Sequence, residues 1–431
     1  MFRATSRKTA GGQPENLRQQ DRFDILILDA EHRQTLASAR SLGRAGLRVA
    51  LGESLTLYDP SLPLPAFCSR HCARAVVLPS YTDGPLPYVN AILAFVRDHP
   101  TRVVLPASDV SSDALKPYRE QLAELGAVLA LPADSAFEIA FDKHRTLEAA
   151  RQLDIAHPKL IHVTSIEELS VAIAEFGFPF VLKPTMSWAG KTQARVVPVE
   201  VVDKAEAAEV TGRFFAAGSS VLAQPWLPGR REAVTLFIVG GEVLASATHV
   251  EHRTTPPLGG ASVLRESITA PPDTYDAAVR LATAIGIEGL CEVEFRRDAA
   301  DRPLLMEINA RLVGTIDNSI KSGVDFPMLI WKWATGEPVT RVTTYRPGIR
   351  SRWLHGDLRW LADNQKRAGR PDSVSRSMGI WTFVAEFART RHYDYLDLHD
   401  MRPVMAELRH TASVVRKSLR DRKESAPDIN M

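Results

Sequence analysis

The chain has 431 residues, 45% of them hydrophobic and 24% charged, which is the composition of a globular protein long enough for two or three domains. Its 53 basic and 51 acidic residues leave a formal net charge of +2, so it lacks the broad basic field expected of a nucleic-acid partner. No uninterrupted apolar run is long enough to cross a bilayer, the N-terminus lacks the apolar core of a signal peptide, and three cysteines give no disulfide framework; together these predict a cytoplasmic location.

The first 21 residues, rich in Arg, Lys, Gln and Gly without periodicity, read as a disordered tail. From Asp24 the pattern becomes βα: DILILDA, the helix QTLASARSLGRAG, RVALGE, ARAVVLP, the helix YVNAILAFVRDH, RVVLPAS, the helix ALKPYREQLAELG and AVLALP. This alternation predicts a small doubly wound parallel sheet over residues 22–133. Ser108 and Asp109 fall just after a strand, where such folds place ligands, but no Gly-x-Gly-x-x-Gly follows the first strand. Cys68, His71 and Cys72 in CSRHC lack a second ligand cluster, and ordinary packing outweighs a metal there.

Texture changes at the helix FDKHRTLEAARQL, which carries Asp142 and Lys143 near its start. EELSVAIAEFG, the strand FPFVLKP ending near Lys183, and the loop TMSWAGKTQ follow; ammonium and backbone N–H groups there suit a phosphate cover, although a strand-end lysine is more often merely solvated. SVLAQPWLPG reads as a strand whose edge at Gln224, Trp226 and Leu227 can offer main-chain hydrogen bonds and an apolar wall to a base, with core packing the plain alternative for Trp226. A hairpin follows, REAVTLFIV and EVLASATHVEH across Gly240 and Gly241; His249 and His252 in it are expected to be exposed. Next comes RTTPPLGGAS, whose Gly259 and Gly260 permit close backbone approach between Arg253 and Arg265.

The most informative stretch is LLMEINARLVGT, residues 304–315. Read as a strand, it sets Leu305, Glu307, Asn309 and Arg311 on one face and Leu304, Met306, Ile308 and Ala310 on the other. CEVEFRRD upstream alternates Cys291, Val293 and Phe295 with Glu292, Glu294 and Arg296. Carboxylates and an amide oxygen then converge in the manner that suits a magnesium ion bridging phosphates, while an amphipathic hairpin with a solvated charged face fits the same pattern. RPGIRSRWLHGDLRWLADNQ and GIWTFVAEFART belong to an extension over residues 341–415 that is suited to finishing the C-terminal lobe, covering a substrate site or making an oligomer interface. The basic end, 416–431, reads as a second disordered tail.

In this order, Asp-Lys, Phe-Val-Leu-Lys-Pro, Gln-Pro-Trp-Leu, a downstream Glu, a Gly-Gly loop, Glu-Val-Glu-Phe and Glu-Ile-Asn-Ala-Arg resemble the ATP-grasp superfamily, and within it the carboxylate–amine ligase and carbamoyl-phosphate-synthase-like branch, over about Asp24 to Glu337. The resemblance implies an α/β protein with α+β lobes: the N-terminal doubly wound domain (22–133) followed by an ATP-grasp domain (134–340). The latter has a lid at about 150–222 and a C-terminal metal-binding lobe at about 223–340. It implies that Lys143 and Lys183 contact ATP phosphates, that Gln224, Trp226 and Leu227 hold adenine, and that Glu232 holds the ribose. Glu294, Glu307 and Asn309 match magnesium ligands, with manganese an alternative ion; Arg311 matches the arginine at the γ-phosphate. Arg265, with the glycine loop, is expected at the reacting groups. The phosphate loop departs from the family pattern in having few glycines, which leaves Ser187, Ala189 and Gly190 without a firm assignment. The implied activity is ATP-dependent activation of a small-molecule carboxylate as an acyl phosphate and its transfer to an amine. A carboxyphosphate enzyme and a non-catalytic nucleotide-binding module are the alternatives; no nucleic-acid or membrane partner is expected, and a homo-oligomer is left open.

Overall fold

The computed structural model describes residues 22–55, 63–81, 84–184, 198–257 and 259–412. The expected tails at 1–21 and 416–431 and the expected phosphate loop at 185–192 lie outside the described residues.

Strands β1 (Phe23–Ile27), β2 (Val49–Ser54), β3 (Cys72–Leu78), β4 (Thr101–Leu105) and β5 (Val128–Leu129) form a parallel sheet in the order β3-β2-β1-β4-β5. Alternate residues feed two cores: Ile25, Ile27 and Leu51 pack toward the helix Arg33–Arg44, and Leu26, Leu28 and Ala50 toward the helix Pro85–Asp98. That double coverage explains the nearly continuous apolar runs. The strand order reverses between β1 and β4, so a crevice opens at their C-terminal ends. There Asp29 accepts from the backbone N–H of Ala107 (2.9 Å) and the Ser111 hydroxyl (2.6 Å), and Ser108 caps the helix Asp109–Leu115.

A second, antiparallel sheet runs β6-β9-β7-β8 through β6 (Ile161–Val163), β7 (Phe180–Pro184), β8 (Val199–Val201) and β9 (Val221–Pro225). Phe180 and Leu182 point into a core made with Leu169 and Ala172 of one helix and Val210 and Phe214 of another. By the two-residue period, Val181 and Lys183 face the other way.

The third sheet contains β10 (Arg231–Val239), β11 (Glu242–Thr255), β12 (Ala261–Ile268), β13 (Gly289–Arg297), β14 (Pro303–Asn309), β15 (Arg350–Arg352) and β16 (His392–Tyr393), in the order β14-β13-β10-β11-β12-β15-β16. One face is apolar, with Val234, Leu236, Val293, Phe295 and Leu305 packed on the helices Asp134–Phe141, Lys143–Gln152 and Pro272–Ala284. The other carries Glu292, Glu294, Arg231, His249 and Arg265, and its far end, at Phe237, Ala247 and Leu290, joins the core shared with the helix Arg33–Arg44.

The expected alternation along residues 304–311 is corrected at one point. Glu294 lies opposite Glu307 but Phe295 lies opposite Leu305, so Met306 is an extra residue in a bulge. Leu305 is thereby turned into the apolar core, away from Glu307 and Asn309. The extension after residue 341 adds β15 and β16 to the third sheet and folds back on the first domain. Asp394 accepts from Arg33 and from Arg265 (2.7 Å), and Asp400 from Arg40 (3.0 Å). Among the described residues, no helix is long and apolar enough to cross a membrane.

Candidate active site

Register sets the site. On β13 and β14, Glu294 faces Glu307 and Glu292 faces Asn309 across the ladder, putting three carboxylates and an amide on the polar side. Asn309 Nδ2 donates to Glu294 Oε1 (2.9 Å), and Arg311 Nη2 donates to Asn309 Oδ1 (2.9 Å). Arg311 sits just past the end of β14. Its guanidinium clamps Asp109 in a two-point fork, Nε to Oδ1 at 2.5 Å and Nη2 to Oδ2 at 3.0 Å, and so ties the crevice of the first sheet to the third.

Lys143 is the first residue of a helix capped by Asp142, whose carboxylate accepts from the N–H groups of His144 and Arg145. The cap aims Lys143 Nζ at Glu307 Oε2, 3.2 Å away. Burial favours the neutral form of Glu307, but Lys143 and Lys183 outweigh it and hold this carboxyl below its ordinary range. Glu294 behaves oppositely: burial, reinforced by Glu307, Glu251 and Glu292, pushes it well above. Lys183 projects from β7, and its ammonium is pushed down to about 7, first by burial and then by Lys143, Arg231 and Arg296, with Glu307 opposing.

The edge after β9 supplies the wall. Gln224 and Leu227 are buried, and Trp226 lies under the Arg296 guanidinium at 4.3 Å from its ring centre. Arg296 also donates to Asp372 (2.6 Å), while Arg370 donates to Glu206 (2.7 Å) and Arg367 to Glu200. The loop around residues 367–372 of the extension thus holds both this edge and the second sheet.

Two expectations are corrected. Glu232 lies opposite Phe295 and Val250 in the ladder, on the apolar side of the sheet and not with Glu294. Its fully buried carboxylate accepts from Arg297 Nε (2.9 Å), Thr274 Oγ1 (2.8 Å) and Arg230, leaving it a structural ion pair and no ribose ligand. Arg265, expected beside an open loop at the reacting groups, is fully buried in β12 and paired with Asp394. The reason is strand length: β11 and β12 stay paired from Thr248–Ile268 to Thr255–Ala261, so only residues 256–260 remain for the turn. Gly260 belongs in that tight turn, since a Cβ there would meet the Thr255 carbonyl at 2.1 Å. Arg253 is likewise buried, bonded to Asp357 (2.9 Å) and stacked on Trp360 at 4.2 Å.

His249 is buried on the polar face, not exposed, with Nδ1 at 4.0 Å from Glu292, and burial pushes it down to about 4. His252 pairs with Glu266 at 3.0 Å. The sequence analysis gave Asp109 no partner and Glu292 no role. Glu292 accepts from Thr235 (2.8 Å) and Thr315 (2.7 Å) and lies opposite Asn309 in the ladder, beside the Glu294–Glu307 pair. Its parity with Glu294 was the available signal.

Among the described residues no three carboxylate, histidine or cysteine side chains converge as a ready metal cage. Two carboxylates and an amide, one of those carboxyls pushed up by burial and its acidic neighbours, instead fit a magnesium ion that draws its remaining ligands from phosphate and water.

A parallel N-terminal sheet, a small antiparallel lid sheet and a larger mixed sheet, with lysines and paired acids facing each other between the last two, define the ATP-grasp fold. The chain has this fold and is similar to members of the ATP-grasp superfamily. Residues 219–356 match the family described as ATP-grasp in the biosynthetic pathway with Ter operon. A D-alanine–D-alanine ligase from Ectopseudomonas mendocina is 25% identical over 226 residues, 45% of this chain and 64% of that protein, so the match spans less than two thirds of that relative. A formate-dependent phosphoribosylglycinamide formyltransferase from Anaeromyxobacter dehalogenans is 27% identical over 307 residues, 69% of this chain and 75% of the other. In fold, the chain is similar to a biotin carboxylase–β-γ-ATP complex from Campylobacter jejuni, with a TM-score of 0.59 at 15% identity, covering 77% of this chain and 75% of that one.

Proposed function

We propose that this protein is an ATP-dependent carbon–nitrogen ligase that activates a carboxylate as an acyl phosphate and passes it to an amine. The observation that carries the reading is the joined set Glu294, Glu307, Asn309 and Arg311 with Lys143 and Lys183 facing it. The partial match to a D-alanine–D-alanine ligase supports the same class.

Charge dictates the division of labour. A carboxylate must approach a phosphorus surrounded by anionic oxygens, so those oxygens have to be neutralised first. Lys143 and Lys183 would neutralise them from the helix and lid sides, while Gln224, Trp226 and Leu227 would fix the base. Glu294, Glu307 and Asn309 would hold magnesium, which supplies Lewis-acid charge to the phosphate oxygens when bound. Arg311, its fork held by Asp109 and Asn309, would meet charge developing on the transferred phosphoryl group. The attacking carboxylate oxygen bonds to phosphorus as the bond to ADP breaks. The amine nitrogen then bonds to the acyl carbon, phosphate departs, and the amine proton goes to solvent or phosphate. The cleft between the first and third sheets, spanned by the Arg311–Asp109 pair, is the proposed seat of the carboxylate and amine.

The test is ADP and phosphate release by the purified protein with magnesium and ATP across a panel of carboxylates, bicarbonate included, with hydroxylamine as trap. A hydroxamate formed from one organic carboxylate supports the ligase. Release stimulated by bicarbonate alone points to the carboxyphosphate alternative. ATP binding without turnover across a panel spanning amino, keto and dicarboxylic acids would overturn the proposal in favour of a binding module.

A further inference from the structure

The helix Arg376–Arg389 in the extension has an inner face fully accounted for and an outer face that is not. Gly379, Phe383 and Glu386 point inward. Gly379 lies so close to the neighbouring helix Leu354–Lys366 that an added Cβ would sit 3.3 Å from Leu361 and 3.4 Å from Asn364. Glu386, the one charged residue between the two terminal arginines, is spent inside on Arg350 at 3.2 Å. Outward, Trp381 is 61% exposed, Val384 58%, Phe387 51%, Met378 49% and Ile380 43%. The outward side of an ordinary surface helix is polar. Here three and a half turns present apolar side chains, with Ala385 and Ala388 between them and no charge.

We propose that this face is the contact surface of a homodimer, in which the helix packs antiparallel against its copy across a two-fold axis between Val384 and Ala385. Size supports a protein partner: the five side chains leave on the order of 400–500 Å² of apolar surface in water, at the upper end of what a monomer usually exposes in one patch. That is more than half of the roughly 800 Å² per partner of a standard interface, the rest coming from the flanking Val374 and Leu358 and a polar rim. Pattern supports a second copy in particular. An antiparallel crossing about that axis lays Trp381 against the Ala388 position of the other chain, Val384 against Ala385 and Phe387 against Thr382, so the wide residues nearest the axis meet narrow ones, while Ile380 falls against Arg389 toward the rim. An isologous contact of this kind asks for a face complementary to itself and keeps charge away from its centre. An anionic membrane surface would instead be met by a helix with a basic polar face, whereas the basic residues of this helix stand only at its two ends, Arg376 and Arg389.

The experiment is light scattering coupled to size exclusion on the full chain over a range of micromolar concentrations, with vesicle sedimentation run beside it. A particle of twice the 47.6 kDa chain mass is expected, falling to the single mass in Trp381→Glu with an unchanged circular dichroism spectrum, because Trp381 is 61% exposed in the single chain. Val384→Cys, near the axis, should form a covalent dimer on mild oxidation that the parent protein, with its own three cysteines, does not form. Three results would overturn the proposal: a monomer at every concentration, a dimer indifferent to Trp381→Glu, or a monomer that sediments with vesicles and loses this in Trp381→Glu.

Discussion

Lys183 and Glu307 make the site's response to pH depend on what is being measured. With its pKa lowered to about 7, chiefly by burial, Lys183 is charged in the free protein below that pH and loses its charge above it. Affinity for ATP should therefore fall as pH rises above 7, and Lys183→Arg should flatten the profile; titration calorimetry across that range checks both. The effect on stability has the opposite sign. The folded pKa lies below the value of about 10.4 for an unfolded lysine, so between those limits the unfolded chain binds more protons and this residue adds stability as pH rises. Two nearby glutamates separate structure from chemistry in the same way. Glu232→Gln leaves Arg297 partly unpaired on the apolar face and should cost about 2–3 kcal/mol in a denaturant titration, with the KM for ATP nearly unchanged. Glu294→Gln should do the reverse, lowering turnover on the order of 10²-fold with little change in the unfolding midpoint.

Elements decide which of these residues were readable beforehand. The parallel strands and the hairpin of β13 and β14 follow from residue-by-residue alternation, and so does the convergence of Glu294, Glu307 and Asn309. Met306 breaks the alternation because a bulge depends on how two strands pair, which one strand's pattern does not contain. Glu232 was assigned by its match to the family pattern, yet strand parity, fixed only once β10 is paired to β13, turns it to the other face. Arg265 looked like a loop residue because Pro and Gly cluster before it, whereas the ladder continues to Thr255 and Ala261, right up to the turn. The short strands Arg350–Arg352 and His392–Tyr393 carry no apolar signal of their own and exist through pairing, the first with β12 and the second with the first. Coupling between elements is testable at Asp109, which heads a helix of the first sheet but restrains an arginine of the third. Asp109→Asn should lower kcat about tenfold, as expected of weakened orientation, while ATP binding measured by calorimetry stays close to that of the parent.

At the scale of the whole molecule, the extension is the part that closes the structure. Asp394 is buried between Arg33 and Arg265, and Asp357 between Arg253 and Arg352, so four guanidiniums from three regions of the chain depend on two carboxylates. Asp394→Asn would leave two buried arginines without a counter-charge and should destabilise the protein by about 3–5 kcal/mol, seen as a lower urea midpoint and a shortfall of soluble protein. Removing the chain beyond residue 390 should do more, since it deletes β16 and the three aspartates, Asp394, Asp397 and Asp400, that bind the first domain.

The Arg33–Asp394 pair joins residues 361 positions apart. A ribosome making about 5–20 residues per second would release Asp394 roughly 20–70 s after Arg33. For that interval the first domain is outside the tunnel with its helix Arg33–Arg44 formed but two of its inward arginines still facing water, so its final burial waits on residues made 361 positions later. Nascent chains stalled before residue 394 should thus be cut by protease within that helix, and chains stalled late enough to free residue 400 should resist.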